Sequence, residues 1–151
     1  MDFSFSFVGL LFLVMLFVPN ILWSRCPPKD YEKYSKHENR ILLALERIGQ
    51  VLVTALSLFC GVNFSFNKIF LIAFLLMVIY DIYWIGYFRS PKTMNDMYGN
   101  FLFIPLPGAT LPVIAFFLLG VCANNVFLAI SSIILGIGHI GIHRRHKKEI
   151  N

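Results

Sequence analysis

Residues Ile69–Phe88, IFLIAFLLMVIYDIYWIGYF, run for twenty positions with one carboxylate, Asp81, and no basic side chain. The hydrocarbon core of a bilayer is about 30 Å thick, so about 20 helical residues cross it at about 1.5 Å each. This stretch has that length and composition, and the rest of the chain matches it. Of 151 residues, 58% are hydrophobic and 14% charged, and mean hydropathy is +0.72. Soluble domains hold about 45–50% apolar and about 25% charged residues. A chain this apolar is solvated by lipid.

Four further segments approach the same requirement: 3–24, 41–62, 101–123 and 126–142. Together with 69–88 they predict an all-α fold, a five-span transmembrane helix bundle forming a single integral membrane domain over residues 1–151. The first segment has no basic stretch ahead of it and no small-residue cleavage site, so it reads as a retained span rather than a signal peptide. Eleven of the 13 Lys and Arg residues lie in the first connection (Arg25 to Arg40), the third (Arg89, Lys92) and the tail (Arg144 to Lys148). Five spans place these regions on one side. The positive-inside rule then makes the C-terminus cytoplasmic and the N-terminus external. The same charges point to anionic lipid headgroups rather than nucleic acid as the partner. In the first connection, Ser35-x-x-Glu38 has the pattern of a capping box, which predicts a second helix starting at Lys36 and running about 26 residues.

The fourth segment is broken. Pro105, Pro107, Gly108 and Pro112 fall within eight residues, and each interior proline removes a backbone hydrogen bond. A clean helix is expected only from Leu111. Residues 101–110 then need protein or a watery cavity to satisfy their amides and carbonyls.

Polar side chains inside lipid face protein or water because exposure to acyl chains is costly. Asp81 is the first of these. The second segment adds Glu46, Gly49, Gln50, Thr54, Ser57 and Gly61 at steps of three and four, a polar and small face suited to close packing. Asp81, Glu46, Gln50, His139, Tyr80, Trp84 and Thr110 are the candidate binding residues of a polar pocket open to the cytoplasm. Trp84 and Tyr87 also suit an interfacial aromatic belt. His139 and His143 are four apart on one helix face and could reach one ion, but the Glu of an HExxH zinc motif is missing, so no metal site is expected. Gly136, Gly138 and Gly141 spell GxGxxG inside an apolar helix, with no strand before it, so they read as packing residues and no nucleotide cofactor is expected. Cys60 and Cys122 are the two cysteines that could approach each other near one membrane face.

Three stretches, ENRILLALERIGQVLVT (Glu38–Thr54), GATLPV (Gly108–Val113) and ILGIGHIGIH (Ile134–His143), resemble a family of small, uncharacterised multi-pass bacterial membrane proteins. The resemblance implies a bacterial plasma membrane and no activity. With no catalytic motif in the chain, the residues point to binding or transport of a small molecule, cation or proton. An enzyme acting on a lipid, built on Asp81 and His139, is an alternative. So is an accessory or immunity-type protein that uses the small-residue face to bind another membrane protein or a second copy of itself.

Overall fold

The structure is a computed structural model that describes residues 4–59 and 67–150. It is all-helical, with no β-strand among the described residues. Among the described residues seven helices follow in order: α1 (Phe7–Arg25), α2 (Tyr31–Ser35), α3 (Arg40–Phe59), α4 (Lys68–Arg89), α5 (Met94–Tyr98), α6 (Pro107–Cys122) and α7 (Val126–Ile150).

Local chemistry sets the boundaries. The Ser6 hydroxyl accepts the Gly9 N–H at 3.0 Å and starts α1, which stops ahead of Pro27 and Pro28. The expected capping box is not used. Ser35 instead donates its hydroxyl to the Glu32 carbonyl at 3.3 Å and closes α2. The next helix waits for Asn39, whose side-chain oxygen accepts the Ile41 and Leu42 N–H groups at 2.9 and 3.1 Å. An Asn cap thus moves the start of α3 from Lys36 to Arg40. Asn67 caps α4 in the same way through the Phe70 N–H at 3.0 Å. Thr93 and Asp96 form a true capping box on α5.

The prolines behave differently from expectation. α6 begins at Pro107 rather than Leu111, because a proline in the first turn gives up an N–H that would have no helical partner anyway. Pro112 is accommodated inside the helix. Ahead of it, residues 101–104 form a tight turn closed by hydrogen bonds between Phe101 and Ile104. Leu102, Phe103 and Leu106 take left-handed backbone there, at φ of 49°, 64° and 52°. α7 runs through the basic tail to Ile150 instead of stopping at 142, since Lys147 and Lys148 favour the negative end of a helix.

Four helices, α1, α3, α4 and α7, are long and apolar enough to cross a membrane. They carry the exposed apolar residues, among them Val14, Val18, Val51, Leu75, Ile85, Ile133 and Ile137, a surface suited to lipid. α6 has 16 residues, about 24 Å by helical rise. It is enclosed by α4 and α7 and buries Leu111, Pro112, Ala115, Phe116 and Leu119. That enclosure is why an irregular approach to the helix is tolerated.

With α6 counted, α1, α3, α4, α6 and α7 run in alternating directions. At one end the Tyr87 hydroxyl donates to the Cys26 carbonyl at 3.0 Å, the Lys29 N–H to the Lys92 carbonyl at 3.0 Å, and Lys147 Nζ to Asn100 at 2.7 Å. The three basic segments therefore meet. At the other end the Ser6 N–H donates to the Leu58 carbonyl, and Cys122 lies against Asn67. Cys60, the proposed partner of Cys122, and Gly61 lie outside the described residues.

The tightest pairing is α3 on α7. A Cβ added to Gly138 would lie 2.3 Å from the Glu46 nitrogen, and one added to Gly49 would lie 2.5 Å from the Leu135 Cα. These two glycines let the backbones touch and set the register between Glu46 and His139. Gly141 serves the same packing against Leu42, and Gly136 packs α7 against Val113 of α6. On the other side Ser57 meets Gly9 of α1. Gly49 and Ser57 of the small-residue face of α3 are thus packed inside the bundle.

Candidate functional site

α4 turns Met77, Tyr80, Tyr83, Trp84 and Tyr87 inward, the stripe expected of residues three and four apart. Trp84 and Tyr87 are buried rather than placed in an interfacial belt. The Tyr83 and Trp84 rings, with centroids 5.4 Å apart, form one wall of a cavity of about 450 Å³. α6 closes the floor with Ala109, Pro112 and Phe116, and α7 contributes Leu135, His139 and His143. Glu46, Arg47 and Gln50 come from α3, and Asn20 and Trp23 from α1. Four lining residues, Asn20 and Ser24 of α1 and Arg47 and Gln50 of α3, are also exposed. They form a polar rim where the cavity opens between these two helices, in the half nearer the basic end.

Glu46, Gln50, Trp84 and His139 line this one cavity. Asp81, Tyr80 and Thr110 are not among its lining residues. Asp81 follows Tyr80 by one position, about 100° around the helix, so it points away from the aromatic stripe. It is half-buried, and one of its oxygens has no hydrogen-bond partner among the described residues. Tyr80 reaches the cavity wall only indirectly, accepting from the Asn20 amide at 3.1 Å. Thr110 spends its hydroxyl on the Pro105 and Leu106 carbonyls at 3.1 and 3.0 Å, tying down the turn into α6.

The polar end of the cavity is built on α7. Its histidines at 139, 143 and 146 fall on one face, with the His139 and His143 rings 4.4 Å apart. His139 Nδ1 lies 2.5 Å from Glu46 Oε1. The Tyr98 oxygen lies 2.7 Å from His143 Nδ1 and 3.0 Å from His146 Nδ1. His146 Nε2 in turn sits 3.4 Å from Glu38 Oε1. Tyr98 is placed by α5, which Tyr83 anchors by donating its hydroxyl to the Met97 carbonyl. Burial pushes the Tyr98 phenol well up, so it keeps its proton as a donor. Burial also raises the Glu38 carboxyl, with the nearby Glu46 charge adding to it.

Glu46, His139 and His143 each offer a ligand atom within 4.8 Å of the other two. The indole N–H of Trp23 is buried on the cavity wall with no hydrogen-bond partner among the described residues. Comparison with protein-family models, curated proteins and solved structures finds no match to this chain. The site must therefore be read from its own chemistry.

Sequence reasoning missed Glu38, Tyr98 and His146. The Thr93-x-x-Asp96 pattern could have located α5, but nothing local shows that Tyr98 bridges two histidines 45 and 48 residues away.

Proposed function

We propose that this chain is a five-span membrane protein of the bacterial plasma membrane that binds, and in this way carries or senses, a small amphipathic molecule or cation. The carrying observation is the cavity itself. Its inner walls are aromatic and aliphatic, its deep polar end holds Glu46, His139 and His143, and its rim of Asn20, Ser24, Arg47 and Gln50 opens between two helices. Concave apolar sites with a few convergent polar groups are where proteins hold small ligands. The Trp23 N–H group, with no hydrogen-bond partner among the described residues, suits a ligand that brings hydrogen-bond acceptors.

The topology rests on the alternating helix directions and the gathering of the basic segments at one end, which the positive-inside rule assigns to the cytoplasm. α6 is the fifth span, short and shielded. A reporter that fluoresces only in the cytoplasm, fused after Asn151, should light up; fluorescence confined to an external-only reporter would reverse the orientation.

Ligand binding is tested by purifying the protein in mild detergent and identifying co-extracted molecules by mass spectrometry. A small amphipathic molecule should accompany the native protein and be lost from Leu16→Trp, which fills the cavity from α1. Equal recovery from both, or no enrichment over detergent alone, refutes the reading.

The Glu46–His139 pair supports a second reading, a membrane-embedded enzyme acting on a lipid at the basic face. A carboxylate and imidazole in hydrogen-bond contact could supply a general acid and base. An altered lipid profile in a deletion strain, restored by the native gene but not by Glu46→Gln, would select it.

A further inference from the structure

We propose that Glu46, His139 and His143 form a binding site for a divalent transition-metal cation, with Zn²⁺ the best fit, and that this ion anchors the polar end of whatever occupies the cavity. The inference deepens the binding function above and rests on it for the second clause alone.

The donor set is two imidazoles and one carboxylate, the combination that leaves a catalytic or ligand-accepting zinc with an open coordination position. It suits zinc and its first-row neighbours better than Mg²⁺ or Ca²⁺, which prefer all-oxygen shells. Tetrahedral bonds of about 2.0–2.1 Å place donor atoms about 3.3 Å apart. Glu46 and His139, now 2.5 Å apart, need to open by less than about 1 Å, and all three donors already lie within 4.8 Å of one another. His139 and His143 share a helix face, so one turn of α7 supplies two ligands. α3 supplies the third at a register set by Gly138 and Gly49.

The surroundings orient the ligands. His143 Nδ1 is occupied by the Tyr98 oxygen at 2.7 Å. If Nδ1–H donates to that oxygen, the Tyr98 O–H is free to donate onward to His146 Nδ1 at 3.0 Å. This polarity leaves the His143 Nε2 lone pair for the metal. A metal-bound histidine usually donates its other ring N–H to such a partner, and losing that partner typically lowers metal affinity by about 10–100-fold. Because Glu46, His139 and His143 all line the cavity, the remaining coordination position opens toward its contents.

The test uses full-length, untagged protein in detergent or nanodiscs. It is equilibrated with Zn²⁺, freed of excess ion, and its zinc measured by mass spectrometry; Co²⁺ loading gives a visible spectrum that reports four-coordinate geometry. One zinc per chain is expected, undiminished by excess Mg²⁺. Glu46→Gln and His143→Ala should lose it while keeping helical circular dichroism. Tyr98→Phe should weaken it about 10–100-fold, and His37→Ala should leave it unchanged. If Glu46→Gln fails to fold, His139→Ala reports on the same site from the other helix. Zinc retained by a Glu46→Gln, His143→Ala double variant, or none held by native protein, overturns the proposal. The co-extracted molecule separates the two readings. Its presence without zinc sinks only the metal site, and zinc with no such molecule sinks the small-molecule part of the proposed function.

Discussion

Replacing Gly138 by Ala should damage the site without touching any of its polar groups. The new Cβ would lie 2.3 Å from the Glu46 nitrogen, 2.6 Å from the Leu42 carbonyl oxygen and 2.8 Å from the Glu46 Cα. These are backbone atoms and cannot swing aside. Ordinary contact begins at 3.4 Å, so α3 and α7 must part by about 1 Å to admit a single methyl group. Inserting a methyl into a close-packed interface typically costs about 1–3 kcal/mol. The same shift would stretch the 2.5 Å Glu46–His139 contact to about 3.5 Å, past hydrogen-bond range. Thermal unfolding in one detergent, followed by circular dichroism, reads the stability loss. Gly86→Ala is the matched control. A Cβ there meets nothing within 4 Å, and a helix interior favours Ala over Gly by up to about 1 kcal/mol. A Gly138→Ala protein as stable as Gly86→Ala would refute the claim that this glycine sets the register.

Asn39→Ala removes the acceptor of two N–H groups at the start of α3 and should cost about 1 kcal/mol in the same unfolding assay, with Asn39→Asp largely restoring it. Asp81→Leu should leave zinc and ligand retention unchanged and raise stability by about 1 kcal/mol by removing an unpaired buried acceptor; lost binding would return Asp81 to the site. The Thr93 N–H and hydroxyl hold the Asp96 carboxyl below the usual carboxylate range. A carboxyl with a depressed folded pKa stabilises fully above its unfolded value and loses that stability as pH falls through the folded one. Protection of the Met97 amide, its exchange rate relative to the unstructured rate at the same pH, should therefore fall only in acid, below about pH 4, and Asp96→Asn should show the lower protection at every pH.

The apolar runs were readable because a bilayer demands length and composition more than detail. Residues 69–88 became Lys68–Arg89 with almost no adjustment. Where ends were misjudged, a small group competed with the pattern: Asn39 outbid the Ser35-x-x-Glu38 box, and Pro107 opened a helix it seemed set to delay. In the site, His139 and His143 could be paired from spacing alone, since four residues is one helical turn. Glu46 was visible only as a carboxylate that lipid should not see. Its partner is 93 residues away.

Asp81 shows the limit most clearly. Hydropathy marks it as the anomaly of its helix, but hydropathy has no phase. Trp84 faces the cavity and Tyr80 is buried in the bundle, while Asp81, between them, is on neither side, because neighbours on α1 and α6 chose which side of α4 to cover. Composition and run length determined that this chain is helical and apolar enough for a membrane, since those quantities add up residue by residue. Which polar groups meet was decided only by the tertiary structure, because it depends on how helices rotate and slide against each other, here where Gly49 and Gly138 let two backbones touch.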